Sequence, residues 1–213
     1  DELEQILDAD VVTIITPIFP GAEHHLRTAI DAIPAAKRRQ RLTVVLHTEG
    51  GVIEVVERMV QVLRALYRDI WYLIPDKAMS AGTVFAMSGD DILMDAFSVL
   101  GPIDPQILKN INGEQKLVPA LAYLSQFNRL IEKSAAGELT TAEFALLQSF
   151  DLAELQQFEE ARELSVELLK RWLTRYKFKN WTETRARHQA VTEKMREQRA
   201  EEIARALSDH QRW

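Results

Sequence analysis

The chain has 213 residues and a net charge of −6 at pH 7, with 46% hydrophobic and 27% charged residues. That length suits one large domain, or one domain with a helical appendage, at roughly 100–200 residues per domain, and the composition excludes collagen-like and disordered chains. The acidic balance argues against a nucleic-acid or anionic-membrane binder, and the lack of cysteine excludes disulfides, zinc–cysteine sites, iron–sulfur clusters and a cysteine nucleophile. No apolar run approaches the roughly 18 residues of a transmembrane helix. The start, Asp1-Glu2-Leu3-Glu4, lacks the basic-then-apolar layout of a signal peptide. The expected compartment is the cytoplasm, with a signal or anchor upstream of Asp1 left open.

In chain order, Val11–Ile15, Leu42–Leu46 and Ile70–Ile74 are β-rich runs, the last closed by Pro75. They are continuous rather than alternating, which predicts strands buried on both faces. Between the second and third, Val52, Val55, Val56, Met59, Val60, Leu63 and Leu66 recur at helical spacing. Alternating strands and helices predict an α/β layer structure with a mostly parallel sheet. Ile92–Met94 and Ser98–Leu100 read as further short strands. Residues 101–117, with Pro102, Pro105, Asn110, Asn112 and Gly113, read as an irregular connection. Past residue 118 the β-branched runs stop. Thr140-Thr141-Ala142-Glu143 is a capping box, and one long amphipathic pattern runs from Phe144 to Tyr176. A second helix is expected from near Asn180, with Glu183 in its first turn, to about Ser208.

Three segments able to do chemistry fall at successive strand ends, where α/β folds place ligands: His47–Gly51, Ala78–Thr83 and Leu100–Pro105. A serine on a sharp strand-to-helix turn exposes its hydroxyl at the positive end of a helix, which favours both a nucleophile and a developing oxyanion. Ser80 is therefore the candidate nucleophile, and the N–H groups of Gly51 and Ala81 are the candidate oxyanion-hole donors. Taken singly, the plain readings compete: Gly50-Gly51 as a tight turn and Ser80 as a helix N-cap.

Taken together, Glu49-Gly50-Gly51 followed by Met79-Ser80-Ala81-Gly82 resembles the Clp protease/crotonase superfamily. The longer pattern adds Ile74-Pro75, Asp91-Ile92, Met94-Asp95 and Val99–Gln106. It is most similar to the serine dehydrogenase proteinase family, which is related to signal peptide peptidase A and the stomatin-associated proteases. The resemblance covers residues 41–107, and Ala200–Ala204 with Leu207-Ser208 resembles the family's C-terminal end. Family members continue just past the position of Trp213. The resemblance implies a Clp/crotonase-like ββα superhelix over residues 8–118 with a helical extension over 119–213. It implies a serine endopeptidase acting on a peptide or protein substrate, with no cofactor, in a homo-oligomer. Long apolar stripes on the C-terminal helices also point to assembly.

The general base is harder to read. No histidine lies between 48 and 187, so a Clp-type histidine on the strand after the nucleophile is absent. His47 reads as structural. Ser–Lys relatives imply a lysine from the segment after the sheet, lowered toward neutrality by burial. The candidates are Lys109, Lys116 and Lys133. Lys109 and Lys116 sit in the Gly/Asn-containing connection and read as solvated. Lys133 is the chosen base, because Leu121, Leu124, Phe127 and Leu130 could bring the end of its helix against the site, and because Glu138–Glu143 resembles the segment after the signal peptide peptidase lysine. Asp151 could orient the base, or could simply start a helical segment. Asp90, Asp91 and Asp95 flank a strand without metal-ligand spacing, so no metal is expected. The competing functional readings are a catalytically impaired assembly or binding module and a crotonase-like enzyme acting on acyl thioesters.

Overall fold

In the computed structural model, which describes residues 2–104, 106–111, 113–184 and 188–208, the β-branched runs form one parallel sheet. After a short helix α1 (Glu2–Leu7) come β1 (Asp10–Ile15), β2 (Arg41–His47), β3 (Asp69–Ile74) and, beyond the two-residue β4 (Lys77–Ala78), β5 (Asp91–Met94). Strands β1, β2, β3 and β5 lie side by side in that order. Burial is heavier on one face than on the other, where Thr43 of β2 is also fully buried. Val12, Ile14, Leu42, Val44, Leu46, Ile70, Tyr72 and Ile74 enter the core, whereas Thr13 and Ile15 are exposed and Val45, Trp71 and Leu73 only half-buried. The reason is that the helices of the repeat pack on one face. On the other, the Arg41 guanidinium covers the Trp71 ring at 3.9 Å.

Each main strand is followed by a short second strand and then a helix. Ile18 precedes α2 (Ala22–Asp31), Thr48–Gly51 precedes α3 (Ile53–Leu66), and β4 precedes α4 (Ala81–Met87). The short pieces pair in parallel with one another: Ile18 with Gly51, Thr48 with Ala78, and β4 with β6 (Val99–Leu100). This is a ββα spiral in which every turn delivers a helix N-terminus to the same edge. The sheet is clamped by Ile53, Val56, Met59, Val60 and Leu63 of α3, all in one buried cluster with the strand residues. Each such side chain contributes on the order of 1.5–3 kcal/mol through burial.

Three expectations fail beyond the spiral. In place of an irregular connection stand two antiparallel strands, β7 (Gln106–Ile111) and β8 (Glu114–Pro119), with Lys109 opposite Lys116. An Asn-Gly pair between two pairing runs is a hairpin signal that outweighs the flanking prolines. Pro105 and Asn112 lie outside the described residues. The single pattern from Phe144 to Tyr176 divides. After α5 (Ala120–Ala135) come α6 (Thr141–Gln148) and α7 (Leu152–Trp172), the second started by Asp151, whose carboxylate accepts from the Ala153 N–H at 2.8 Å. Phe144 stays 51% exposed, so α6 adds nothing to a continuous core stripe. The last helix, α8, spans Glu193–Leu207 and is capped by Thr192. The residues before it are engaged elsewhere: Val191 N–H bonds to Thr182 O at 2.9 Å, and Glu183 bridges to Ala190. The expected first-turn role of Glu183 is thus taken by Glu193. Residues 209–213, including Trp213, lie outside the described residues.

Helix α7 joins two apolar clusters. Ala161, Leu168, Leu169 and Trp172 belong with the sheet, α3 and Ala200 and Ala204 of α8. Leu155 and Phe158 pack instead with Ala120 and Leu124 of α5.

Candidate active site

Ser80 lies one residue, Met79, beyond β4 and opens α4 with φ 52° and ψ −121°. A left-handed φ at a non-glycine residue costs on the order of 1–3 kcal/mol and is kept only where the surroundings impose it. Here they do. The Met79 N–H bonds to Thr48 O at 3.0 Å, and the Ser80 carbonyl accepts from the Thr83 N–H at 2.9 Å, so the chain must leave a short strand and enter a helix within one residue. The plain N-cap reading fails, because the Ser80 side chain makes no cap hydrogen bond. Its hydroxyl donates instead to the backbone carbonyl of Asp104, and Ser80 is only 5% exposed.

Gly50 and Gly51 form the adjoining wall. A Cβ on Gly50 would stand 2.7 Å from Ser80 Cβ, and one on Gly51 would stand 2.1 Å from the Ile18 carbonyl oxygen. Both have positive φ, 97° and 148°, which only glycine adopts cheaply. The Gly50 carbonyl accepts from the Ile18 N–H at 2.8 Å. A trans peptide sets the next N–H opposite to that carbonyl, so the Gly51 N–H faces away from Ile18, toward the side where β4 and Ser80 lie. The Ala81 N–H lies in the first turn of α4 and points out of its positive end. Among the described residues, neither N–H has a hydrogen-bond acceptor. The arrangement can offer two donors beside one hydroxyl.

The titratable candidates sit elsewhere. His47 Nδ1 faces Asp76 at 3.1 Å. Lys133 Nζ donates to Glu143 at 2.5 Å with its side chain 36% exposed, not buried as expected. The Lys133 ammonium, with help from Thr140, holds the Glu143 carboxyl down at about 2. The start of α5 is near Ser80, because the Leu121 N–H bonds to the Asp104 carboxylate at 2.9 Å. Lys133 is twelve residues further along that helix, about 18 Å at 1.5 Å per residue. Lys109 pairs with Glu154, and Lys116 pairs with Glu114 at 3.1 Å. Both stand on the hairpin rather than in an irregular loop. Among the described residues, no lysine or histidine nitrogen lies within hydrogen-bond distance of Ser80 Oγ, and no cluster of His, Asp and Glu could hold a metal. No helix among them is long and apolar enough to cross a membrane.

Two roles escaped the sequence reading, although one of the residues, Asp104, lies in the Leu100–Pro105 segment it singled out. Asp104 meets Ser80 through its backbone, which no side-chain motif reveals, although Pro102 and Pro105 flanking Ile103-Asp104 mark a stiff segment. Ile18 serves as the strand neighbour that turns Gly51, and a lone Ile between Pro17 and Phe19 carries no such signal.

Comparison with known proteins matches residues 17–128 to a family described as ClpP-like SDH-type serine proteinase. Two uncharacterized proteins of Methanocaldococcus jannaschii are similar in sequence. MJ0137 is 37% identical over 76 residues, 36% of this chain and 27% of that protein. MJ1495 is 30% identical over 119 residues, 56% of this chain and 36% of that protein. The chain thus spans about a third of the length of these curated relatives. Among solved structures, a lysine-to-alanine mutant of the 1510-N membrane-bound stomatin-specific protease with a substrate peptide gives a TM-score of 0.43 at 20% identity, covering 60% of each chain. The ClpP protease catalytic domain from Plasmodium falciparum gives 0.34 at 12% identity, covering 42% of this chain and 49% of that one.

Proposed function

This chain belongs to the ClpP-like SDH-type serine proteinases, and on that premise we propose that it hydrolyses peptide bonds through an acyl-enzyme at Ser80. The observation that carries the reading is the strained, buried Ser80 at the head of α4, set beside the outward N–H groups of Gly51 and Ala81. In the proposed reaction, Ser80 Oγ attacks the scissile carbonyl carbon and loses its proton to a base. The carbonyl oxygen gains negative charge and takes hydrogen bonds from Gly51 and Ala81. Collapse then expels the amine with a proton returned by the base, leaving the acyl group on Ser80 for water to release. Such donors are worth on the order of 3 kcal/mol each in rate when preorganised.

The base assignment is separable from the rest. Lys133, paired with Glu143 in its own subunit, serves as the base only if an assembly of several copies brings it to another copy's Ser80. Loss of activity in Lys133→Met with an unchanged melting temperature assigns that role to it. Unchanged activity passes the role to Lys116. The second reading, an impaired member acting as an assembly or binding module, is favoured by the absence of any described nitrogen base at Ser80 Oγ.

A fluorophosphonate probe separates the two readings. The proteinase reading expects one covalent adduct, located at Ser80 by peptide mass spectrometry, together with cleavage of an unfolded protein substrate. A chain that never reacts with the probe, alone or assembled, is the module.

A further inference from the structure

The segment Gly101–Asp104 crosses the nucleophile and is held at four points. The Gly101 N–H donates to Ala78 O at 3.2 Å, and the Gly101 carbonyl accepts from Thr83 Oγ1 at 2.9 Å. Ile103 is 1% exposed, and its N–H donates to the Leu207 carbonyl at 2.9 Å. The Asp104 carboxylate takes the Leu121 N–H at the start of α5, 2.9 Å away. Between these ties the Asp104 carbonyl receives the Ser80 hydroxyl proton.

That last bond has a chemical consequence. A serine that donates to a peptide carbonyl offers its proton to a group too weakly basic to remove it. The same carbonyl oxygen takes the place at the hydroxyl proton that a general base needs. We infer that Gly101–Asp104 is an autoinhibitory strap, which holds Ser80 in a resting state until an extended peptide displaces Asp104 from the hydroxyl. The inference rests on Ser80 being the nucleophile and adds how access to it is controlled.

The anchor at Leu207 gives the strap a distant handle. The last carbonyls of a helix have no partner within it, and α8 satisfies one of its own with the Ile103 N–H. Helix α8 is seated on the core by the buried Ala200 and Ala204. Whatever shifts the end of α8 therefore pulls on the residue before Asp104. The Thr83 tie is local. Its hydroxyl is shared between the Ala78 and Gly101 carbonyls, and a valine would keep its shape while losing the proton.

The chain has no cysteine, so Ser80→Cys puts a single thiol at the site and reports access without requiring catalysis. The experiment compares iodoacetamide alkylation of Ser80→Cys with that of Ser80→Cys/Thr83→Val, each also measured in denaturant. It adds fluorophosphonate labelling of the wild-type chain and of Thr83→Val. A strap predicts that the folded Ser80→Cys chain reacts at least tenfold more slowly than the denatured one. It also predicts that Thr83→Val speeds the folded reaction about five- to tenfold, the opening gained by losing one hydrogen bond. Amide exchange at Ile103 should quicken in the same variant. Folded-state alkylation as fast as in denaturant, or unchanged by Thr83→Val while Ile103 exchange quickens, overturns the strap. Should alkylation follow the strap pattern while fluorophosphonate labels neither serine-containing chain, Gly101–Asp104 still covers position 80, but the proteinase reading falls and the strap's autoinhibitory role falls with it.

Discussion

The two sides of the candidate site are built by different physics. The side carrying Ser80, Gly50 and Gly51 is made of backbone: short parallel bridges between consecutive turns of the spiral fix the φ angles and aim the N–H groups. The side from which a base should come is made of long side chains on a hairpin and on α5. There Lys109, Lys116 and Lys133 each end at a carboxylate of their own subunit. A strand bridge is the same whether or not substrate is present. A lysine on a flexible stem takes whichever carboxylate is nearest, and an exposed pair of that kind is worth only about 0–1 kcal/mol. The nucleophile side is thus preset, whereas the base side is held by contacts weak enough to exchange.

The largest test of this contrast is Ser80→Ala. It should remove peptide hydrolysis and fluorophosphonate labelling entirely, while the denaturation midpoint moves by less than the equivalent of about 1.5 kcal/mol, one hydrogen bond. A large fall in stability would mean that Ser80 is kept for the fold. Gly51→Ala should damage the preset side most, costing about 3 kcal/mol by urea denaturation, from backbone strain and the clash with the Ile18 carbonyl. A near-neutral result would show that the bridge is not rigid.

Away from the site, Lys177→Met should stabilise the chain by on the order of 2 kcal/mol at pH 7. Lys177 Nζ is buried without a partner among the described residues. Burial pushes the amine from 10.5 down to about 8, with Arg64 reinforcing the shift and Asp91 and Asp90 opposing it. The folded chain therefore binds this proton less tightly than the unfolded one. Its contribution to stability is fully present above about 10.5 and is lost as pH falls through about 8. Wild type should gain stability between those pH values relative to Lys177→Met, and parallel curves would refute the burial. Asp151→Ala should cost about 1 kcal/mol through the lost N-cap of α7, with labelling of Ser80 unchanged. Smallest is Lys133→Met, expected to lower stability by less than about 1 kcal/mol because the Glu143 pair is part-exposed. A larger loss would show the base side to be as fixed as the nucleophile side.

How much of this was legible in the sequence follows the same division. Val11–Ile15, Leu42–Leu46 and Ile70–Ile74 announce strands through β-branching, and the periodicity of α3 announces its buried face. Ser80 and Gly51 are readable because each stands where a strand run meets a helix run, and because the surrounding motif resembles a known family. The hairpin was hidden because Pro102 and Pro105 dominate their surroundings, while the Asn-Gly signal lies seven residues on. The helix start at Asp151 was readable as a cap and is one, but caps leave no mark on apolar periodicity, so the pattern from Phe144 to Tyr176 still read as continuous. The pairing of Lys133 with Glu143 joins positions ten residues apart across a helix turn-around, a geometry no sequence window reveals. Lys177, between Tyr176 and Phe178, does carry a signal: an amine flanked by aromatics at a helix end is placed for burial.

Gly51 and Ser80 stand on consecutive turns of a spiral whose turns are joined by parallel bridges. Neighbouring strands are about 4.8 Å apart, so the pitch of that screw, rather than any side-chain rotamer, sets the distance between an N–H on one turn and a hydroxyl on the next. Length added to α2, or to the connection between it and β2, leaves the pitch untouched. One residue inserted between His47 and Gly51 slips the register and turns the donor away. Such a chain therefore tolerates added length in its helices and almost none across the few residues at each strand exit.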